Sequence, residues 1–352
     1  MPLHRFHSES AIDFGHIVVD RHSNRRNCAW TFGPRNQDLT RRAPAHSVSI
    51  AVLQSVQIDS IRTDSKVSSI VIRHQKLLLL ALLCAQFLPI LFLHGDEVTK
   101  TAPLVIGETF TIDSKILGET RRINVYLPTS YGESHEEPVP VLYMPDGGLA
   151  EDFLHVAGLV QILVSDGVMR PFLLVGIENT ERRRDMTGPT NNEEDKKIAP
   201  HVGGSAGFRR FLREELMPQV KARYRTTNET AIVGESLAGL FVVETFLIEP
   251  DLFDTYIAID PSLWWNKQEL VNHAAERLTS QSKQQKTLYF ASSDEKVNAG
   301  IMQHFADILS KNAPSNIHWH YEPMPEEKHS TIYHPAALKA FRDVFNPNDK
   351  AP

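Results

Sequence analysis

The chain has 352 residues, 41 per cent of them hydrophobic, and a formal net charge of −6, enough apolar material for one large cored domain or two small ones. The negative balance excludes a general basic field for holding phosphates, so no nucleic-acid partner is expected. Both cysteines, Cys28 and Cys84, precede residue 98, which leaves the remainder without a disulfide framework, a cysteine-based metal site or a thiol nucleophile.

Residues 1–72 mix His, Arg, Ser and Asn with scattered aliphatics and sustain neither helical nor strand periodicity. They are expected to be a non-native or disordered extension, with translation beginning near Val71 or Ile72. Arg73, His74 and Lys76 then lead into an apolar run from Leu77 to Leu93, followed by the polar HGDEVTK. A basic flank, an apolar stretch and a polar exit are the layout of a signal peptide, so 73–97 is expected to direct the protein to the periplasm, the envelope or the exterior. No small-x-small cleavage site follows cleanly, and retention as a membrane anchor is the alternative. A buried core helix is disfavoured because Pro89 interrupts the run and apolar residues cover every face.

From about residue 98 strands and helices alternate to the end. GETFTIDS and RRINVYLP read as antiparallel strands, PVPVLYM as a buried one, and PFLLVGI, ETAIVG, DTYIAID, KTLYFAS and IHWHYEP continue the series. Helical stretches such as FRRFLREELMPQVKARY and VNAGIMQHFADILSK lie between them. The pattern predicts an α/β fold with a mostly parallel central sheet and helices on both faces, residues 98–352 forming one catalytic domain. Chemistry is then expected in the loops at the carboxyl ends of the strands.

After ETAIV comes Gly234-Glu235-Ser236-Leu237-Ala238-Gly239, and an apolar helix follows at once. A serine in a tight strand-to-helix turn is a nucleophile elbow, which needs small residues around it; Ala238 stands where a second glycine is usual. The elbow sets the Leu237 N–H at a helix start, where it can donate to an oxyanion. Such a serine needs an imidazole, and in this architecture the order is Ser, acid, His. His329, in the loop PEEKHST between the last strand and last helix, is the best placed base. His304 falls within a helix, His318 and His320 on a strand, and His334 at a helix start. The acid is expected in the loop after KTLYFAS, from Glu295 or Asp294, with Glu295 ranked first; capping the next helix is the bland alternative for either. The loop after the third strand, Met144-Pro145-Asp146-Gly147-Gly148, is expected to give the second oxyanion donor, from Gly147 or Gly148, with Asp146 bracing it.

VLYMPDGG, VGIENTERRRDMT, the long segment from GESLAGLF to IDPSLWWN, the SSDE loop and KHSTIYHPAALKAFRDVF together resemble the putative-esterase (esterase D-like) family of α/β-hydrolases, especially its siderophore-esterase branch of enterobactin and bacillibactin type. The resemblance implies cleavage of carboxylic esters by Ser236 and His329 without a metal or other cofactor, on a small-molecule ester such as an iron–siderophore. It implies that Arg184, Asp185, Trp264 and Trp265 shape the substrate mouth. Feruloyl or acetyl ester hydrolysis, acyl transfer by the same residues, and a catalytically silent binding protein are the competing readings.

Overall fold

In a computed structural model, the described residues are 101–128, 137–198, 201–279 and 283–348. The expected extension and signal segment, with both cysteines, lie outside them. The strands are β1 (Glu108–Ser114), β2 (Glu119–Tyr126), β3 (Val139–Pro145), β4 (Leu173–Ile177), β5 (Thr226–Glu235), β6 (Thr255–Ile259), β7 (Lys286–Ser292) and β8 (Ile317–Pro323). They form one sheet in the order β1-β2-β4-β3-β5-β6-β7-β8. β2 runs antiparallel to β1 and β4, and every pairing from β4 to β8 is parallel. This is the mostly parallel α/β sheet that the alternating pattern predicts, in the α/β-hydrolase form that the resemblance implies.

Burial explains why the strands read as they do. Every residue of β3, β4 and β6 is buried, because helices cover both faces and no solvated side remains to impose alternation. Along β5, Ile232 enters one core, while Ala231 and Val233 enter the other, as successive side chains of a strand must. The first core holds Phe208, Phe211 and Phe241, and the second holds Phe153, Phe341 and Phe345. The helix Leu237–Ile248 is buried over 11 of its 12 residues. It lies between the sheet and outer helices, so it is apolar apart from Glu244 and Thr245, whose polar atoms are held by Ser205, Arg209 and the Phe241 carbonyl.

One expected element is interrupted. FRRFLREELMPQVKARY reads as one helix, but a π-helical turn, Leu212–Leu216, separates helix Ser205–Phe211 from helix Met217–Arg223. Pro218 supplies the reason: it has no N–H, and its ring would collide with the carbonyl of Glu214 in a regular α-helix, so the preceding turn widens. Among the described residues no helix is long and apolar enough to cross a membrane.

A charged network fixes the loop after β4 to β2. Arg121 is fully buried and donates to Glu119 at 2.9 Å, to the Thr180 hydroxyl at 2.8 Å, to Asp185 at 2.5 Å and to the Glu178 carbonyl at 3.1 Å. Arg184 donates to Asp185 and Glu119, each at 2.7 Å. A buried guanidinium without these acceptors would be very costly, so the loop is locked in place. Burial pushes the Glu119 carboxyl up, but bonds from Arg184, Thr180 and Arg121 outweigh it and hold it at about 2. A carboxyl depressed in the folded state stabilises above its unfolded value, here the ordinary 4.5, and loses that contribution as pH falls toward 2. Glu119→Gln is therefore expected to lower Tm by a few degrees at pH 7, with the difference from wild type closing between pH 4.5 and 2; a gap independent of pH in thermal melts would contradict this.

Candidate active site

β5 ends at Glu235, and the helix Leu237–Ile248 begins one residue later. Ser236 makes the turn with φ 60° and ψ −118°, a conformation that costs a non-glycine residue free energy and persists only where neighbours enforce it. They do so on both sides. The Ser236 N–H donates to the Ile259 carbonyl at 3.0 Å, and the Ser236 carbonyl accepts from Leu240 at 2.9 Å and Ser262 at 3.0 Å. A Cβ on Gly234 would lie 2.7 Å from the Ala238 Cβ, so the turn demands glycine at 234 and has room for the methyl of Ala238. The Leu237 N–H is the first of its helix, where no intrahelical acceptor exists and the helix dipole favours negative charge.

His329 lies in the loop between β8 and the helix Tyr333–Val344. Its Nε2 is 3.1 Å from the Ser236 hydroxyl, and its Nδ1 is 2.7 Å from Oδ2 of Asp260. Asp260 directly follows β6 and is 1 % exposed, whereas the imidazole is half exposed. The Asp260 carboxylate also accepts from the Ser293 hydroxyl at 2.7 Å, the Ser293 N–H at 3.2 Å and the Asn298 amide at 3.1 Å. Burial alone would raise its pKa, but the bonds from His329 and Ser293 overcome this and keep it below the usual carboxylate range. The bond to Asp260 raises the pKa of His329, followed by the charges of Glu235 and Asp260, against opposition from burial and Arg182. A serine hydroxyl, an imidazole and a buried carboxylate in one line are the parts of a nucleophile with its general base and orienting acid.

The acid is thus one strand away from where the sequence points. Neither Glu295 nor Asp294 reaches His329. Glu295 caps the helix Lys296–Asn312, accepting from the Asn298 N–H at 2.7 Å, and Asp294 faces solvent beside Lys328 at 3.2 Å. The expected loop contributes support instead, because Ser293 and Asn298 hold the carboxylate of Asp260. Sequence reasoning missed Asp260 although one signal was present: a carboxylate directly after the apolar strand TYIAI, beside the strand carrying the serine.

The glycine loop also differs. The Gly147 N–H donates to the Ile177 carbonyl at 2.9 Å, and a Cβ there would lie 2.2 Å from the Ile177 nitrogen. Gly147 is therefore required by close packing on β4 and offers no free donor. The Gly148 N–H is bound to Glu151 Oε2 at 2.7 Å, a side chain that a ligand oxygen would have to displace. Leu237 alone keeps the position expected of an oxyanion donor. Asp146 does brace the loop, taking Arg182 through Nε at 2.6 Å and Nη2 at 2.7 Å.

Of the four residues expected at the mouth, three are engaged in internal contacts, Arg184 while also lining a cavity with Glu181, Pro189, Thr190 and His201. Arg184 and Asp185 belong to the Arg121 network. Trp265 is 6 % exposed and donates its indole N–H to the Gly188 carbonyl at 3.0 Å. Trp264 is 39 % exposed and lies two residues beyond Ser262, whose N–H is bound to the Ser236 carbonyl. The arginine near the imidazole is Arg182, whose charge acts on both His329 and Glu235. Among the described residues, no group of three or more His, Cys, Asp or Glu side chains is arranged to hold a metal ion.

The family model described as putative esterase matches residues 114–342, spanning all eight strands except the first six residues of β1. The chain belongs to the putative-esterase family. Within it, a ferri-bacillibactin esterase of Bacillus subtilis is 34% identical over 42% of this chain and 56% of its own length. A siderophore triacetylfusarinine C esterase of Aspergillus fumigatus is 30% identical over 51% of this chain and 63% of its own. The chain thus matches between about half and two thirds of the length of these curated relatives. Among solved structures, an IroE-like serine hydrolase from Shewanella oneidensis superposes with a TM-score of 0.62 at 30% identity, covering 68% of this chain and 80% of that one.

The site geometry predicts selective reactivity. A fluorophosphonate probe is expected to label Ser236, and Asp260→Asn should slow labelling by about 10²-fold or more, since the imidazole would lose its orienting anion. Glu295→Gln and Asp294→Asn should label at near the wild-type rate. A slow Glu295→Gln beside a fast Asp260→Asn would return the acid to the loop after β7.

Proposed function

We propose that this chain is a serine ester hydrolase whose substrates are ester-linked ferric siderophores. The observation that carries the catalytic part is the line from Ser236 through His329 to Asp260, set on a strained elbow at the carboxyl edge of the sheet. In this reading His329 Nε2 takes the hydroxyl proton of Ser236 as its oxygen attacks the ester carbonyl. Asp260 stabilises the imidazolium, and the Leu237 N–H donates to the oxyanion. His329 returns the proton to the departing alkoxide, leaving an acyl-enzyme. Water, deprotonated by the same imidazole, then releases the acid and restores Ser236.

The substrate class draws on the activities named for the Bacillus and Aspergillus relatives and on two surface features. Arg182 uses Nε and Nη2 on Asp146, while its Nη1 has no hydrogen bond among the described residues and can face an anionic ligand. Trp264 offers an exposed aromatic face for stacking.

A charge-assisted bond from a partly desolvated arginine contributes about 1.5–3 kcal/mol, or roughly 10- to 150-fold. Wild type is expected to prefer a ferric catecholate triester over a neutral aryl ester in kcat/KM. Arg182→Gln should lose about tenfold or more on the triester and much less on the aryl ester, by the same arithmetic. Arg184→Ala should affect both alike. A wild type that prefers the neutral ester, with Arg182→Gln acting equally on both, would remove the siderophore assignment and leave ester hydrolysis standing.

A further inference from the structure

The residue before the nucleophile has no part in the line just described. Glu235 ends β5, and its Oε1 lies 3.3 Å from His329 Nε2, the nitrogen that faces the Ser236 hydroxyl at 3.1 Å. The carboxyl is largely buried, with 16 % of its side chain exposed, and His329 is its only partner within ion-pair distance among the described residues. The imidazole thus stands between two carboxylates, Asp260 at Nδ1 and Glu235 beside Nε2. An elbow requires small neighbours only at 234 and 238, so nothing in the turn itself calls for an acid at 235.

Resting on the serine-hydrolase reading, we infer that Glu235 is a positioning residue that shares a proton with His329 and sets the pH below which the imidazole stops acting as a base. An anion beside Nε2 favours the imidazolium, so the pair takes up its first proton at higher pH than an imidazole held by Asp260 alone. While that proton is held, Nε2 has no lone pair for Ser236. Once it is lost, Glu235 is ionised and Nε2 is free to accept the serine proton. The same anion then helps stabilise the imidazolium that forms at the tetrahedral stage.

The groups facing Glu235 are consistent with a shared proton. His329 approaches from the loop after β8, Arg182 from the loop after β4, Asp152 from the start of the helix Phe153–Ser165, and Asp260 from the end of β6. Tyr333, from the last helix, also senses its charge. Burial raises the Glu235 carboxyl to about 7, with Asp152 and Asp260 adding to the rise and His329 and Arg182 opposing it. Both groups are therefore shifted upward, Glu235 chiefly by burial and His329 chiefly by its bond to Asp260.

The test is the pH profile of kcat/KM for a neutral aryl ester, in wild type, Glu235→Gln and Glu235→Ala. Both variants should carry the acidic limb to lower pH, so that activity at pH 6 relative to pH 8.5 rises by about threefold or more, while the plateau rate falls because the imidazolium has lost a stabilising charge. In parallel, ¹⁵N NMR of the His329 imidazole should show its titration moving to lower pH in both variants. This readout needs no ester, so it separates failure of the inference from failure of the esterase reading. Folded variants whose His329 titration stays at the wild-type pH or moves upward would overturn the inference. No detectable ester turnover, with the NMR shift present, would sink only the esterase reading.

Discussion

The site depends on the hydrogen bond between His329 Nδ1 and Asp260. At 2.7 Å, and with Asp260 almost fully buried, it fixes the tautomer and orientation of the ring so that Nε2 meets Ser236. A buried carboxylate is costly unless its lone pairs are filled. Here Ser293 and Asn298 fill those that His329 leaves, so three successive strand ends, after β6, β7 and β8, converge on one side chain. The Ser236 turn is held by Ile259 and Ser262, residues flanking Asp260, so nucleophile and acid are braced by the same short segment.

Charge on the other side of the site is organised by pairing. Arg121 is held by Glu119 and Asp185, and Arg184 by the same two carboxylates. That stiffens the loop after β4, whose Arg182 carries a charge that acts on His329. Asp146 in turn holds Arg182, which connects the glycine loop after β3 to the edge of the site. Three adjacent arginines in the sequence therefore have different partners: Arg184 pairs with Glu119 and Asp185, Arg182 with Asp146, and Arg183 reaches the Ile198 carbonyl.

Much of this was legible in the sequence because strong local signals decide it. Apolar runs bounded by turns gave the strands, small residues around Ser236 marked the elbow, and the loop between the last strand and last helix held His329. What was missed depends on which side chain turns inward, and no local pattern carries that. Asp260 and Asp294 each follow an apolar strand, yet only Asp260 meets the imidazole, because Ser293 and Asn298 reach back toward it. Gly147 looked like an oxyanion donor because a glycine that packs against a neighbouring strand and one that opens a site are the same letter. Trp264 and Trp265 are neighbours with opposite fates, since the indole of Trp265 finds the Gly188 carbonyl. Helix Ser205–Phe211 ends early for a readable cause, Pro218, whose effect is felt a turn before it.

The central claim is that Ser236 becomes covalently acylated during turnover. Rapid quenching of the wild type with a slowly deacylated ester, followed by peptide mass spectrometry, is the most direct measurement. The account predicts an acyl adduct on the peptide containing Ser236, absent in Ser236→Ala and strongly reduced in His329→Ala. An adduct on another residue, or steady ester turnover by Ser236→Ala at the wild-type rate, would contradict it.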